Sequence, residues 1–201
     1  MKIICIGLNY HEHAKEMNSS LPDSPMFFMK PDTALLIRNR PFFIPDFSNE
    51  IHHEIELVVR IHKIGKHIQA KFAHKYYNQL ALGVDFTARD LQNQCKINGH
   101  PWEIAKAFDF SAAISEFAPI VGEIQNQIIE LKLNGQTKQI TNTKDMIFSV
   151  DKIIEHVSQF VTLKIGDLIY TGTPAGVGKV NIGDQLQGFL NGQELLNFQI
   201  K

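Results

Sequence analysis

Glu54 and Glu56 stand one residue apart in the stretch His52-His53-Glu54-Ile55-Glu56-Leu57-Val58-Val59-Arg60, which otherwise has the apolar content of a buried strand. Side chains alternate across a strand, so a single strand over 51–62 sends both carboxylates out on one face, about 6.6 Å apart at roughly 3.3 Å per residue. Two like charges on a half-buried surface repel each other and lose hydration unless something positive stands between them. An edge strand that shows its acids to water is the bland alternative. Asp85 weighs against it, because this third acid closes the apolar run Leu80-Ala81-Leu82-Gly83-Val84. Three carboxylates at strand ends make an oxygen-rich site for a hard divalent cation, which names Glu54, Glu56 and Asp85 as metal ligands.

Six further residues could act beside such a cation. His13 and Glu16 lie three apart on a two-turn helix, where a carboxylate orients an imidazole and supports its protonated form, although solvated His/Glu pairs are ordinary. Arg89 and Gln92 share a face of a helix beginning two residues beyond Asp85, so Arg89 would favour an anion there; a surface salt bridge is its plain alternative. Lys106, inside Ala105-Lys106-Ala107-Phe108, either reaches solvent or pairs with a buried acid, and spacing favours solvent. In Gly172-Thr173-Pro174 a phosphate-loop reading fails, since Thr173 stands where the motif needs glycine and Val180 follows Lys179. A tight loop remains, whose N–H groups and Thr173 hydroxyl approach a bound carboxylate.

The elements that must position these residues follow from pattern. Residues 3–6 read as a first strand, and residues 9–25 as a mobile segment, a lid, because Asn18 to Pro25 lack an apolar period. Phe27-Phe28-Met29 and Phe42-Phe43-Ile44 are short strands broken by prolines, and their phenylalanines could line a pocket or a dimer contact. Ala70 to Gln79 reads as a helix with Phe72, Ala73, Tyr76 and Tyr77 at core spacing, followed by a strand from Leu80 to Asp85. Thr87 and Asp90 fit a capping box. Beyond residue 110 β-structure dominates, with hairpin turns at Asn134-Gly135 and Asn191-Gly192. One amphipathic helix interrupts it over Asp151 to Leu163, capped by Asp151, with Ile153, Ile154, Val157 and Phe160 inward.

At 201 residues one domain is expected. The formal net charge of -1 gives no general attraction to nucleic acid or anionic membrane, so an anionic partner must be recognised locally. Cys5 and Cys95 lack zinc or disulfide spacing, which suits a reducing cytosol. Ile3-Ile4-Cys5-Ile6 is too short for a signal core, and no stretch approaches the ~18 apolar residues of a membrane span. A cytoplasmic location without nucleic-acid or membrane partners is expected.

Gly7-Leu8-Asn9-Tyr10 with His13, Lys30-Pro31, His53-Glu54-Ile55-Glu56, Asp85 to Asp90 and Gly172-Thr173-Pro174 together resemble the fumarylacetoacetate hydrolase superfamily, in the family's order and over nearly the whole chain. Thr87-Ala88-Arg89-Asp90, Pro101-Trp102 with Lys106, and Met146-Ile147-Phe148 are most similar to its small acylpyruvase and oxaloacetate decarboxylase branch, in which Leu8 is often arginine. The resemblance implies a β-rich α+β fold, a mixed β-sandwich roll with short flanking helices, forming one catalytic domain over 1–201 and a homodimer. It implies Mg²⁺ or Mn²⁺ on Glu54, Glu56 and Asp85. It also implies a His13/Glu16 dyad on the lid, a catalytic Lys106, and ligand contacts by Gln92 and Thr173, to which the residue reading adds Arg89. The expected activity is a divalent-metal-dependent hydrolase or lyase of 2-oxo and 2,4-dioxo acids, cleaving acylpyruvates or decarboxylating oxaloacetate through an enolate whose charge the cation accepts. An isomerase or decarboxylase of 2-hydroxy-dienedioates, an oxaloacetate keto-enol tautomerase, or a non-enzymatic metal-dependent dicarboxylate-binding protein are the alternatives.

Overall fold

The computed structural model describes residues 1–201. Its first half runs β1 (Ile3–Gly7), α1 (His11–Glu16), β2 (Met26–Lys30), β3 (Leu35–Leu36), β4 (Ile51–His53), β5 (Ile55–Ile61), α2 (Ala70–Ala73), β6 (Tyr77–Asp85), β7 (Thr87–Ala88), α3 (Arg89–Asn98) and α4 (Glu103–Lys106). The second half adds β8 (Ala112–Ile114), β9 (Ala118–Pro119), β10 (Ile128–Leu133), β11 (Gln136–Asn142), α5 (Val150–Phe160), β12 (Leu168–Tyr170), β13 (Gly178–Lys179), β14 (Gln185–Leu190) and β15 (Gln193–Gln199).

Eight strands form one mixed sheet in the order β2-β1-β12-β5-β6-β8-β3, with β9 beside β6. Ile55 and Leu57 of β5 enter the largest core, whose far wall is the sheet β11-β10-β14-β15, through Ile129, Leu131, Leu186 and Phe198. Val59 and Ile61 pack with Ile153, Ile154 and Val157 of α5. Val58 turns the other way, beside Ile3, Ala81 and Tyr170, on the face to which alternation also sends Glu56. This is the β-rich α+β sandwich with short flanking helices that the sequence implied. Both Asn-Gly hairpins form, with positive φ at Asn134 (53°) and Gly135 (75°).

Several local expectations are corrected. The strand over 51–62 divides at Glu54: β4 pairs with β13 and β7, whereas β5 pairs with β12 and β6. Apolar content is the same on both sides of that corner, so pattern alone reads one strand. The helix over 70–79 stops at Ala73, because Tyr77 pairs with Ile61 and strand pairing overrides helical spacing; Phe72 is left exposed. Thr87 is no cap. It lies in β7, α3 begins two residues later without a side-chain cap, and Asp90 instead takes the Ser48 hydroxyl (2.6 Å) and Asn49 N–H (2.9 Å). Ser149, not Asp151, caps α5, while Asp151 accepts from the Tyr77 hydroxyl at 2.9 Å; Phe160, expected inward, is 59% exposed.

Candidate active site

The corner at Glu54 brings the acids together. Antiparallel pairing sets Glu56 opposite Gly83, two residues before Asp85, and Asp85 N–H donates to Glu54 O at 2.9 Å. All three acids are buried, and one carboxylate oxygen from each lies within 4.8 Å of the others. Three buried cations face them. Lys106 Nζ donates to Glu54 Oε2 and Asp85 Oδ2, both at 2.8 Å, and to Thr87 Oγ1. Arg89 Nη2 donates to Glu54 Oε1, while Arg89 Nη1 reaches Gln92 Oε1 at 2.5 Å. Lys30 Nζ lies 2.7 Å from Asp85 Oδ1 and is held by Ser111 O (3.1 Å) and Ser111 Oγ (3.0 Å). Lys106 therefore takes the outcome that its spacing disfavoured, because its short helix α4 delivers it to two buried carboxylates.

Burial raises a carboxyl pKa, but at Glu54 the charges of Lys106 and Arg89 outweigh it and hold the group well below the usual carboxylate range. Glu56 has one backbone donor, Gly172 N–H at 2.6 Å, and no cation in an ion pair with it; burial and the neighbouring Asp85 charge push it well above that range. Burial lowers Lys106, yet Asp85 and Glu54 more than compensate and keep it an ammonium. Asp85 Oδ1 is buried and makes no hydrogen bond, despite its ion pair with Lys30. Three oxygen donors, one with an unused lone pair, fit a hard divalent cation, which Glu54, Glu56 and Asp85 would hold.

His13 Nδ1 meets Glu16 Oε2 at 3.1 Å, and His13 is buried. Glu16 Oε1 accepts Gly176 N–H at 3.0 Å, which fastens α1 to the glycine loop. The start of the 9–25 segment is anchored: Asn9 Nδ2 donates to Phe148 O (3.0 Å) and Thr171 O (2.8 Å), and Asn9 Oδ1 accepts Phe148 N–H (2.7 Å). Glycine-loop amides were expected to meet a bound carboxylate. Two of them serve the chain's own acids instead, Glu56 through Gly172 and Glu16 through Gly176.

These groups surround a cavity of about 310 Å³ lined by His13, Glu54, Asp85, Arg89, Gln92, Lys106 and Thr173. Glu56 sits behind it, and Glu16 reaches it through His13. Sequence reasoning quoted Lys30-Pro31 as part of the resemblance but gave Lys30 no role beside the acids, although a lone cation closing the apolar run Met26–Met29 is the same signal that Lys106 carries. It also missed Gln139, the buried position among exposed neighbours on β11; of the two readings for Phe28, pocket wall or dimer contact, the first holds, since Phe28 lines the cavity with its ring 6.1 Å from that of Trp102. The other phenylalanines separate: Phe42 stacks on Phe86 in the core at 3.8 Å, Phe27 packs near Phe160, and Phe43 is exposed.

Residues 2–201 match the family described as fumarylacetoacetate (FAA) hydrolase C-terminal. The chain belongs to this family. Within it, the chain is 39% identical over 201 residues to the mitochondrial oxaloacetate tautomerase of Bos taurus, covering 99% of this chain and 91% of that one. It is 40% identical over 197 residues to an oxaloacetate tautomerase of Escherichia coli K12, covering 96% and 90%. The fold of this family member superposes on fumarylpyruvate hydrolase from Pseudomonas aeruginosa, solved with Mn²⁺ and pyruvate. That match has a TM-score of 0.95 and 36% identity, over 100% of this chain and 89% of that one.

Proposed function

We propose that this enzyme is a divalent-metal-dependent hydrolase or lyase of 2-oxo acids, cleaving acylpyruvates or decarboxylating oxaloacetate, with Mg²⁺ or Mn²⁺ on Glu54, Glu56 and Asp85. The observation that carries the reading is the convergence of an oriented His13/Glu16 pair and a buried three-carboxylate cluster on one cavity. When bound, the cation supplies positive charge that draws electron density from the 2-keto group of a chelating 2-oxo acid. Lys106 adds a second fixed charge beside it, because its ammonium bridges two of the acids. Arg89, Gln92 and Thr173 orient the substrate carboxylate. With Nδ1 held by Glu16, His13 has Nε2 to take a proton from water attacking C4, and Glu16 stabilises the resulting imidazolium. The product acid and the pyruvate enolate then separate as the C3–C4 bond breaks, and a proton delivered to C3 completes the reaction.

A tautomerase reading has its own support, since the Bos taurus and Escherichia coli relatives are named for that reaction and the same His13 could exchange a proton at C3 without water. We read residues 9–25 as the lid of one catalytic domain over 1–201, the assembly as a homodimer to which exposed Phe43 and Phe47 offer apolar surface, and the location as cytoplasmic. No helix is long and apolar enough to cross a membrane.

Acetylpyruvate and oxaloacetate, each assayed with Mg²⁺ and with chelator, test the reading by following enol absorbance and CO₂ release separately. Metal-dependent acid release from acetylpyruvate is expected, and His13→Ala should slow it roughly 100-fold while Mn²⁺ affinity stays within a few-fold. Enol exchange without C–C cleavage would select the tautomerase. Equal hydrolysis by both proteins would remove His13 from the chemistry.

A further inference from the structure

A second cavity, of about 460 Å³, opens where β11 meets the glycine loop, and it shares no lining residue with the active-site cavity. Lys138 and Lys179 line it, and neither forms an ion pair; Lys138 Nζ reaches only the Gln136 side-chain oxygen, at 3.3 Å. Asp184, the one acid on the lining, is already engaged. Its Oδ1 accepts from Asn134 Nδ2 and its Oδ2 from Asn181 N–H, both at 2.7 Å. Two free ammonium groups against one occupied carboxylate leave the cavity with an excess of positive charge, which suits an anion.

His53 says more about that anion. It is 1% exposed, and its Nδ1 must carry a hydrogen, because the Gln139 Oε1 that it meets at 3.0 Å belongs to an amide whose two hydrogens go to Thr173 Oγ1 and Pro174 O. Nε2 has no partner within the chain. The ring lies over Gly178, its partner across the β4–β13 pair, with Nε2 3.4 Å from where a Cβ would stand, so the absence of a side chain there leaves this atom open to the cavity. In the neutral ring such an Nε2 accepts a hydrogen bond. The cavity therefore combines cations for an anion's oxygens with a buried acceptor for a hydrogen on the same ligand. A carboxylate or a sulfate brings no such hydrogen, whereas a phosphate group that retains one proton brings both kinds of atom.

We propose that this cavity binds a hydrogen phosphate group, with its oxygens on Lys138 and Lys179 and its P–OH donating to His53 Nε2. Free phosphate and the end of a small phosphomonoester share that chemistry. The bound group touches the loop that holds Glu16 through Gly176 N–H, and His53 connects it through Gln139 to Thr173. Binding thus stiffens one wall of the active-site cavity without entering it.

Inorganic phosphate, ethyl phosphate and sulfate are titrated calorimetrically into the Mg²⁺-loaded protein at about pH 6, where about half of a phosphomonoester keeps its second proton. The same titrations into the variant carrying Lys138→Gln and Lys179→Gln subtract any anion bound at the active site. Both lysines are exposed, and the variant should fold as the wild type does. Wild type should show one phosphate site that the variant lacks or binds at least about tenfold more weakly, and that site should prefer phosphate to sulfate by at least about tenfold. Phosphate should also slow hydrogen exchange across residues 174–179 in wild type alone. Tighter binding of ethyl phosphate than of inorganic phosphate identifies an ester as the occupant, and weaker binding identifies free phosphate. Identical titrations of the two proteins, equal affinity for sulfate, or protection confined to residues 89–106 overturns the assignment.

Discussion

Gln139 donates its side-chain amide to the Thr173 hydroxyl across 2.8 Å, tying the outermost strand of the four-stranded sheet to the loop that walls the cavity. Its other amide hydrogen goes to Pro174 O at 2.9 Å, so Gln139 Oε1 accepts from Ile55 N–H and from His53 Nδ1, both at 3.0 Å. One side chain thus holds both Ile55, the residue between Glu54 and Glu56, and the loop that carries Thr173. Gln139→Leu leaves several buried groups unpaired and should cost about 3 kcal/mol of stability. Faster hydrogen exchange across residues 172–178 and a roughly tenfold lower kcat, with Mn²⁺ affinity changed less than kcat, are the expected accompaniments. Unchanged exchange in that loop would reduce Gln139 to a packing residue.

Glu54 and Glu56 should separate in metal-free protein. Glu54 neutralises Arg89 and Lys106, and Glu54→Gln leaves those buried cations short of charge, a loss of about 3 kcal/mol. Glu56 has a backbone N–H and no ion-paired cation, so Glu56→Gln should change thermal stability by less than about 1 kcal/mol. Both variants should nonetheless lose calorimetric Mn²⁺ binding. Retained affinity in the double variant would remove these acids from the metal site.

Gly176 has φ of 97°, and a Cβ there would stand 2.1 Å from Lys138 O, a backbone atom that cannot swing aside. Gly176→Ala must therefore shift the loop and pull its N–H from Glu16. We expect a loss of about 2 kcal/mol or more in denaturant unfolding. A kcat reduced toward that of Glu16→Gln should accompany it. An alanine variant with full activity would show that the Glu16 contact does not set the dyad.

Asp90 gives a pH signature through its contacts with Ser48 and Asn49. Partial burial opposes ionisation, but the Ser48 hydroxyl and the Asn49 and Leu91 N–H groups outweigh it and lower its pKa. A lowered folded pKa stabilises above the unfolded value of about 3.9 and ceases to do so as pH falls through the folded value. The Tm difference between wild type and Asp90→Asn should be full near pH 6 and close below about pH 4. An equal difference at about pH 7 and pH 3 would mean that the charge is not its source.

Residue type and order alone determined the Glu54/Glu56 pair, the His13/Glu16 pair and the two hairpins, because each depends on a short spacing, and they marked Asp85 by its place at the end of an apolar run. Tertiary structure decided the rest. Glu54 is a corner between sheets, which no apolar pattern distinguishes from a continuous strand. Lys106 and Lys30 are buried because carboxylates from strands tens of residues away neutralise them, and spacing that sees only neighbours sends such lysines to water. Gln139 reads as one more polar residue on an exposed strand until β11 is set against Ile55 and the 172–178 loop. Charge pairing and buried hydrogen bonds act between elements, so their partners exist only once the chain has folded.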